Sequence, residues 1–285
     1  MPNHRPSLVL IGHVGWATNE TTSGTRVSLG GSGYAAAFAA SLILPGRVGL
    51  VAQLGPDLAE HGLPRLRIDR AGLAGLPGPS AAFHMTERAD GSRSFRSRLG
   101  VAASPQFGTF PAAYFQAGHV HLGTMPPGQQ IGWLRFLRDH GLRAPVSVDT
   151  FEHFVAVEPA ASREACDLAD LIFINEAEYA GLYRDNETPK APTILKHGPR
   201  GADFISDGVT YPAAATPAVH VMDGTGAGEI LAGAYLALRA RGLPEGRALD
   251  YAVRAATSSV TEFGVDGPQL TRELTGIAET AMLGG

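Results

Sequence analysis

The sequence predicts an α/β protein built on a mostly parallel sheet, with helices on both faces and a small antiparallel excursion. Three features carry that prediction. From residue 119 onward, short apolar runs alternate with helix-length patterns, which is the rhythm of a parallel sheet covered on both sides. Two apolar runs, 7–11 (SLVLI) and 48–55 (VGLVAQLG), flank a stretch rich in small residues. Between 81 and 99, apolar and polar residues alternate around Ala89-Asp90-Gly91, a hairpin pattern with Asp-Gly at its turn.

Each element has a local reason. SLVLI ends in Gly12 and reads as a buried strand. A polar, Thr-rich stretch follows, and then GGSGYAAAFAASLIL from Gly30 reads as a glycine turn opening a helix whose small residues let it lie close on a sheet. VGLVAQLG is a second strand, followed by Pro56-Asp57 and a short helix. HVHLG from 119 is a strand, QQIGWLRFLRDHGL a helix and PVSVDT a strand. A helix is expected at about 160–169, and DLIFIN is a strand. EAEYAGLY after Asn175 starts a helix, and APTILKHGPRGADFISDGVTYPA reads as two or three short strands. Gly226 to Arg241, Glu245 to Phe263 and about 268–282 read as helices. No internal repeat and no long linker divides the chain.

Composition narrows the class. Of 285 residues, 36 are Gly and 20 Pro, which marks a loop-rich but folded chain below the low-complexity range. With 44% hydrophobic residues and a formal net charge of −4, it can bury a sizeable core and lacks the basic blocks of a general nucleic-acid binder. The single cysteine, Cys166, excludes a disulfide framework and multi-cysteine metal sites and suits a reducing cytosol. The apolar run before Gly12 is too short for a signal peptide or a membrane span, so a cytoplasmic location and no membrane partner are expected.

The most informative stretch is VMDGTGAGEILAGAYLALRARG, residues 221–242. A glycine loop entering a helix leaves backbone N–H groups unpaired at the positive end of the helix dipole, a ready site for a phosphate. Glu229, in the first turn, stands where a carboxylate could meet the group attacking that phosphate. The alternative is a glycine-rich helix start with a dipole-compensating Glu.

DGTGAGE followed by a small-residue helix resembles the C-terminal signature of the ribokinase-like (PfkB) sugar and nucleoside kinases, usually D-T-T-G-A-G-D. Four further motifs agree in order. Gly30-Gly31 resembles the family's glycine pair, and Gly55-Pro56-Asp57 its G-x-D. Asn175 to Glu178 is similar to its N-x-x-E, and Lys196 to Gly201 to its K-x-G-x-x-G. The resemblance spans almost the whole chain. It implies a ribokinase-like three-layer α/β/α fold over residues 1–285 as one domain, with a β-lid contributed by about 13–30 and 81–99.

The resemblance also implies a mechanism. ATP would lie across the C-terminal part of the sheet, with Gly226, Ala227 and Gly228 as the anion hole and Glu229 as the base for a small acceptor's hydroxyl. Thr225, Lys196, Gly198 and Gly201 would attend the nucleotide, and Asp223, just before the loop, would position it. Asn175 and Glu178 would help hold Mg²⁺ through its waters. Their local alternative is an Asn helix cap with an exposed Glu three residues on. As an option rather than a requirement, the resemblance extends to a homodimer through the lid.

The chain departs from the family pattern at three positions. Glu229 replaces the usual Asp, moving the carboxylate by roughly an ångström. Ala17 stands where a substrate-binding Asp is usual and Ala35 where an Asn is, so two polar grips on a diol become methyls. An ordinary ribose or fructose is therefore not expected as acceptor, and a nucleoside or modified sugar is. Asn19 is a candidate substitute grip, and Trp16 and Tyr34 beside the alanines suggest an apolar or aromatic wall. Arg96 and Arg98 share one strand face and could hold an acidic acceptor. The alternative for that pair is a solvent-facing hairpin edge. The departures leave a second reading open, a ribokinase fold that has lost catalysis and binds a small molecule in a regulatory role.

Other residues carry less. His119 and His121 alternate on a strand without a third metal ligand in view. Asp149 ends a strand at the carboxyl edge of the sheet, where α/β sites lie. Cys166 on a helix reads as structural. GGSG at 30–33 is no dinucleotide fingerprint, because the preceding strand and full spacing are missing.

Overall fold

The computed structural model describes residues 5–21, 24–61, 63, 65–88, 93–184, 187–216 and 220–283. The chain begins with β1 (Leu8–Ile11), β2 (Gly15–Thr21), β3 (Gly24–Gly30), α1 (Ser32–Ile43), β4 (Val48–Leu54), α2 (Pro56–Ala59) and β5 (Leu73–Gly75). There follow β6 (Ala81–Glu87), β7 (Arg93–Arg98), β8 (His119–Leu122), α3 (Pro127–Asp139), β9 (Val146–Asp149), α4 (Glu152–Val157) and α5 (Pro159–Leu168). The remainder is β10 (Leu171–Asn175), α6 (Glu176–Leu182), β11 (Thr193–Lys196), β12 (Gly201–Ser206), β13 (Val209–Ala214), α7 (Ala227–Ala240), α8 (Glu245–Ser259) and α9 (Pro268–Leu283).

Nine strands form the main sheet in the order β13-β12-β11-β10-β9-β8-β1-β4-β5. Every pairing from β11 through to β5 is parallel, and only the β11–β12 and β12–β13 pairings are antiparallel, so β12 alone runs against the rest. The all-buried runs of β1 and β4 are what a strand covered on both faces requires. Alternation on β1 splits the core. Leu8 and Leu10 join a cluster with Phe38, Phe173 and Tyr235 on the α1, α7, α8 side. Val9 and Ile11 join Val120, Trp133 and Ile172 on the α3, α5 side.

Small residues set how closely the layers approach. A Cβ on Gly12 would lie 2.7 Å from the Gly33 backbone nitrogen, so the first turn of α1 rests directly on the end of β1. Farther along, a Cβ on Gly233 would lie 2.2 Å from the Ala36 carbonyl oxygen, so α1 and α7 pack backbone against backbone.

A second sheet of four strands, ordered β3-β2-β6-β7, stands beside the main one. β6 and β7 pair antiparallel as the alternation around 81–99 predicts, while β2 and β6 pair parallel. The Ala89-Asp90-Gly91 turn lies outside the described residues. Two elements were not anticipated from the sequence. β5 has only three residues, and the single helix expected at about 160–169 is preceded by a separate α4. Pro159 makes that break: it disfavours helical backbone at Glu158, which sits at φ −134°, ψ 54°. Among the described residues no helix is long and apolar enough to cross a membrane.

Candidate active site

A cavity of about 950 Å³ opens between the carboxyl ends of the parallel strands and the four-stranded sheet. One wall is polar and built on the main sheet. β9, β10 and β11 end there with Asp149, Asn175 and Lys196, and the loop into α7 brings Asp223 to Glu229 beside them.

Gly226 caps α7 in the left-handed conformation, φ 83°, which side chains rarely adopt. α7 has no side-chain cap, so its first N–H groups stay available at the positive end of the dipole. A Cβ on Gly228 would lie 3.3 Å from Lys196 Nζ, so the ammonium stands over the same helix end. An open backbone concavity with a cation above it fits a phosphate chain. Asp223 shapes the loop, its Oδ1 accepting from the Thr225 N–H at 2.9 Å.

Lys196 Nζ donates to Asp149 Oδ1 at 2.6 Å, and Asp149 is 1% exposed. Burial pushes the Asp149 carboxyl up to about 7, with the Lys196 ammonium opposing and the Glu229 and Glu178 carboxylates adding to the rise. For Lys196, burial pulls downward but Asp149, Glu178 and Glu229 together outweigh it, holding the ammonium above its ordinary value. Asp149 Oδ2 is buried without a hydrogen-bond partner.

Asn175 and Glu178 form a full capping box on α6: Glu178 N–H donates to Asn175 Oδ1 and Asn175 N–H to Glu178 Oε2, each at 2.9 Å. Glu178 is buried, not exposed, and its Oε2 also accepts from Thr150 Oγ1 at 2.5 Å. Among the described residues no group of three His, Cys, Asp or Glu side chains could cage a metal. The hard carboxylate oxygens at 149 and 178, one unpaired, fit a hydrated Mg²⁺ carried on substrate phosphates and do not fit a metal centre resident in the protein. Glu229 Oε1 accepts from Thr124 Oγ1 at 3.2 Å, which holds the carboxylate at the mouth of the helix.

The opposite wall is apolar and comes from the four-stranded sheet and the start of α4. Strand register puts Ala17, Asn19, Phe83, Met85, Phe95 and Ser97 on one face of that sheet, and all six line the cavity. Phe83 stacks on Phe95 at 6.4 Å, Phe95 meets Phe151 edge-on at 5.4 Å, and Phe151 meets Phe154 at 5.7 Å. Gly30, Gly31 and Ala35 complete the floor beneath. Gly31 holds φ 95° where the chain turns into α1.

Of the other residues singled out from sequence, Ala227 opens α7, and Gly198 and Gly201 shape the turn after β11; none of the three lines the cavity. Arg96 borders the cavity and Arg98 does not; register sets both on the face of β7 opposite Phe95 and Ser97. Trp16 and Tyr34 do not form the aromatic wall. Trp16 points to the other face of its strand, where its indole donates to Asp57 at 3.0 Å, and buried Tyr34 donates to Asp266 at 2.9 Å. The wall comes instead from Phe83, Phe95, Phe151 and Phe154, which sequence reading missed; the FEHF run at 151–154, after Asp149-Thr150, was the available signal. His119 and His121 both bond Ser147 Oγ, at 2.9 and 2.8 Å, and Cys166 is buried with its thiol pushed up to about 12 by burial.

The sequence pattern of the pfkB family carbohydrate kinases matches residues 9–272. The chain belongs to that family. A cytidine kinase of Thermococcus kodakarensis is 30% identical over 253 residues, 83% of this chain and 90% of that protein. Burkholderia thailandensis nucleoside kinase in complex with inosine superposes with a TM-score of 0.81 at 19% identity, covering 96% of this chain and 98% of that one. Adenosine kinase from Sinorhizobium meliloti superposes at 0.82 with 15% identity, covering 97% and 99%. Ribokinase from Thermotoga maritima superposes at 0.74 with 17% identity, covering 96% and 99%. The family member described here therefore has the ribokinase-like fold that its motifs led one to expect.

Proposed function

We propose that the protein transfers the γ-phosphoryl group of ATP to a hydroxyl of a nucleoside. One observation carries this reading: a wall of four phenylalanines faces the glycine loop and Glu229 across a single cavity. A flat base stacked on an aromatic face gains about 1–3 kcal/mol and needs no diol grip to be oriented. That supports a nucleoside over a free sugar, since Ala17 and Ala35 offer a sugar's hydroxyls no partner. The resemblance to a cytidine kinase supports the same class.

In this reading the acceptor oxygen attacks Pγ in line, the bond from Pγ to the bridging oxygen of ADP breaks, and the proton goes to Glu229. Backbone N–H groups at Gly226 to Gly228 receive phosphate oxygens, and Lys196 offsets the charge that gathers on them. Mg²⁺ would neutralise phosphate charge there, and Asp149, Asn175 and Glu178 are the residues that would hold it through its waters. Asp149 also fixes Lys196 in place. Glu229 is one methylene longer than the usual Asp, and its bond to Thr124 sets where that longer carboxylate stands.

The test is phosphoryl transfer from ATP across a panel of nucleosides and sugars. Turnover of a nucleoside that disappears in Glu229→Gln, with the fold intact, supports the proposal. Binding of ATP and nucleosides without any Glu229-dependent turnover overturns it in favour of a regulatory binding protein.

A further inference from the structure

Asp223 has a second partner that the phosphate-site reading does not use. Asn19, on β2 of the four-stranded sheet, donates its amide to Asp223 Oδ2 at 2.5 Å across 204 residues of chain. Asn19 is 7% exposed, so the bond is shielded from water. The same carboxylate accepts from the Thr225 N–H at 2.9 Å and from the Gly264 N–H at 3.5 Å. A single side chain thus gathers the lid, the glycine loop and the turn that follows α8.

We propose that Asn19 is a positioning residue that couples the lid to the anion hole, so that acceptor and nucleotide bind cooperatively. The glycine loop has little stiffness of its own, because glycine leaves the backbone free to choose among several conformations. Asp223 fixes the direction of its N–H groups, and Asn19 fixes the aim of Asp223. Two residues from Asn19 on β2, and directly across from it on β6, stand Ala17 and Met85, which line the same cavity face as Phe83 and Phe95. An acceptor stacked on that face holds the lid down, which holds Asn19 on Asp223, which presets the loop for phosphate. A coupling of this kind is reciprocal: whatever factor the acceptor adds to nucleotide affinity, the nucleotide adds to acceptor affinity.

The choice of ligands rests on the function proposed above; the bond itself does not, and the experiment keeps the two apart. Hydrogen exchange on the ligand-free protein compares the native chain with Asn19→Ala and the isosteric Asn19→Asp. Exchange at 15–21 and at 224–229 is expected to quicken together by about tenfold in both variants, with β8 to β10 unchanged. Unchanged exchange at 224–229 in both variants overturns the proposal, whatever the enzyme's substrate. Calorimetry then titrates a non-hydrolysable ATP analogue with and without saturating cytidine. The native protein is expected to bind the analogue about tenfold more tightly with cytidine present, and Asn19→Ala to lose that factor, whatever its effect on the affinity for cytidine alone. A coupling factor retained in Asn19→Ala, or absent from a native protein that binds both ligands, overturns the proposal. Failure to bind cytidine refutes the acceptor assigned above and leaves the exchange result to judge the bond.

Discussion

The two walls of the cavity are built on opposite principles. The phosphate wall is backbone and charge: a left-handed glycine, an uncapped helix end, and Lys196 paired with buried Asp149. The acceptor wall is ring and methyl: four phenylalanines, Ala17 and a methionine on the four-stranded sheet and the start of α4, with Ala35 of α1 beneath them. A wall of main-chain donors serves any polyphosphate and tolerates little change, because backbone cannot be substituted residue by residue. A wall of side chains can be altered one position at a time, and the departures from the family pattern at Ala17 and Ala35 fall on that side. On the proposed function, chemistry and specificity are thus carried by different kinds of structure.

Substitutions can break or sharpen that contrast, beginning with the largest effect. Glu229→Gln should lower kcat about 10³-fold, the scale of a general base, while the dissociation constant of an ATP analogue stays within about threefold. Steady-state kinetics beside equilibrium binding reads both. Next, Lys196→Met should destabilise the fold by about 3–5 kcal/mol, since it leaves Asp149 buried without its cation, and the double variant Lys196→Met/Asp149→Asn should recover much of the loss. Denaturant melts of the three proteins decide this; a double variant no better than the single would mean that the pair is not coupled.

On the acceptor wall, Phe151→Ala should raise the nucleoside KM about tenfold and leave the KM for ATP unchanged, as removing one stacking face implies. A rise in the ATP KM instead would show that the two walls are not separable.

The smallest effects distinguish the walls by the sign of their pH dependence. Burial lowers His13, on the acceptor side, to about 4. The unfolded chain therefore binds a proton that the folded one refuses, and stability falls as pH drops from 6.5 toward 4. Asp149 is raised, so the folded chain keeps a proton that the unfolded one has released, and stability falls as pH rises from about 4 toward 7. Between pH 5.5 and 6.5 each contributes about 1 kcal/mol, with opposite sign. Unfolding at those two pH values should show Asp149→Asn steepening the acid-side loss and His13→Gln reducing it. His119 and His121, lowered by burial to about 4 and about 3, add to the His13 direction.

The contrast between walls also explains what could be read from sequence. The phosphate wall follows from contiguous motifs, 223–229 and 175–178, whose spacing is local and whose geometry follows from helix starts and strand ends. The acceptor wall is assembled from residues 83, 95, 151 and 154, which only tertiary structure brings together. Trp16 stands next to Ala17 in sequence, yet neighbours on a strand point to opposite faces, so the indole bonds Asp57 while Ala17 lines the cavity. The capping box at Asn175 and Glu178 was legible, but the burial of Glu178 was not, since it depends on Thr150, which follows the end of β9. The parallel sheet was legible because buried strands are apolar throughout, whereas three-residue β5 was too short to leave a pattern.

The backbone-to-backbone seam of α1 and α7 has a consequence for how such an enzyme can be retuned. On the proposed function, α1 begins at the acceptor floor and α7 at the anion hole, so the thickness of the seam would be the ruler between donor and acceptor. With Gly233 lying on the Ala36 carbonyl, that ruler is at its shortest setting. One added methyl at this remote point would push the helices apart and lengthen the reach across the cavity without touching any residue in it. The distance over which a phosphoryl group must travel is thereby written in the size of side chains that never meet a substrate.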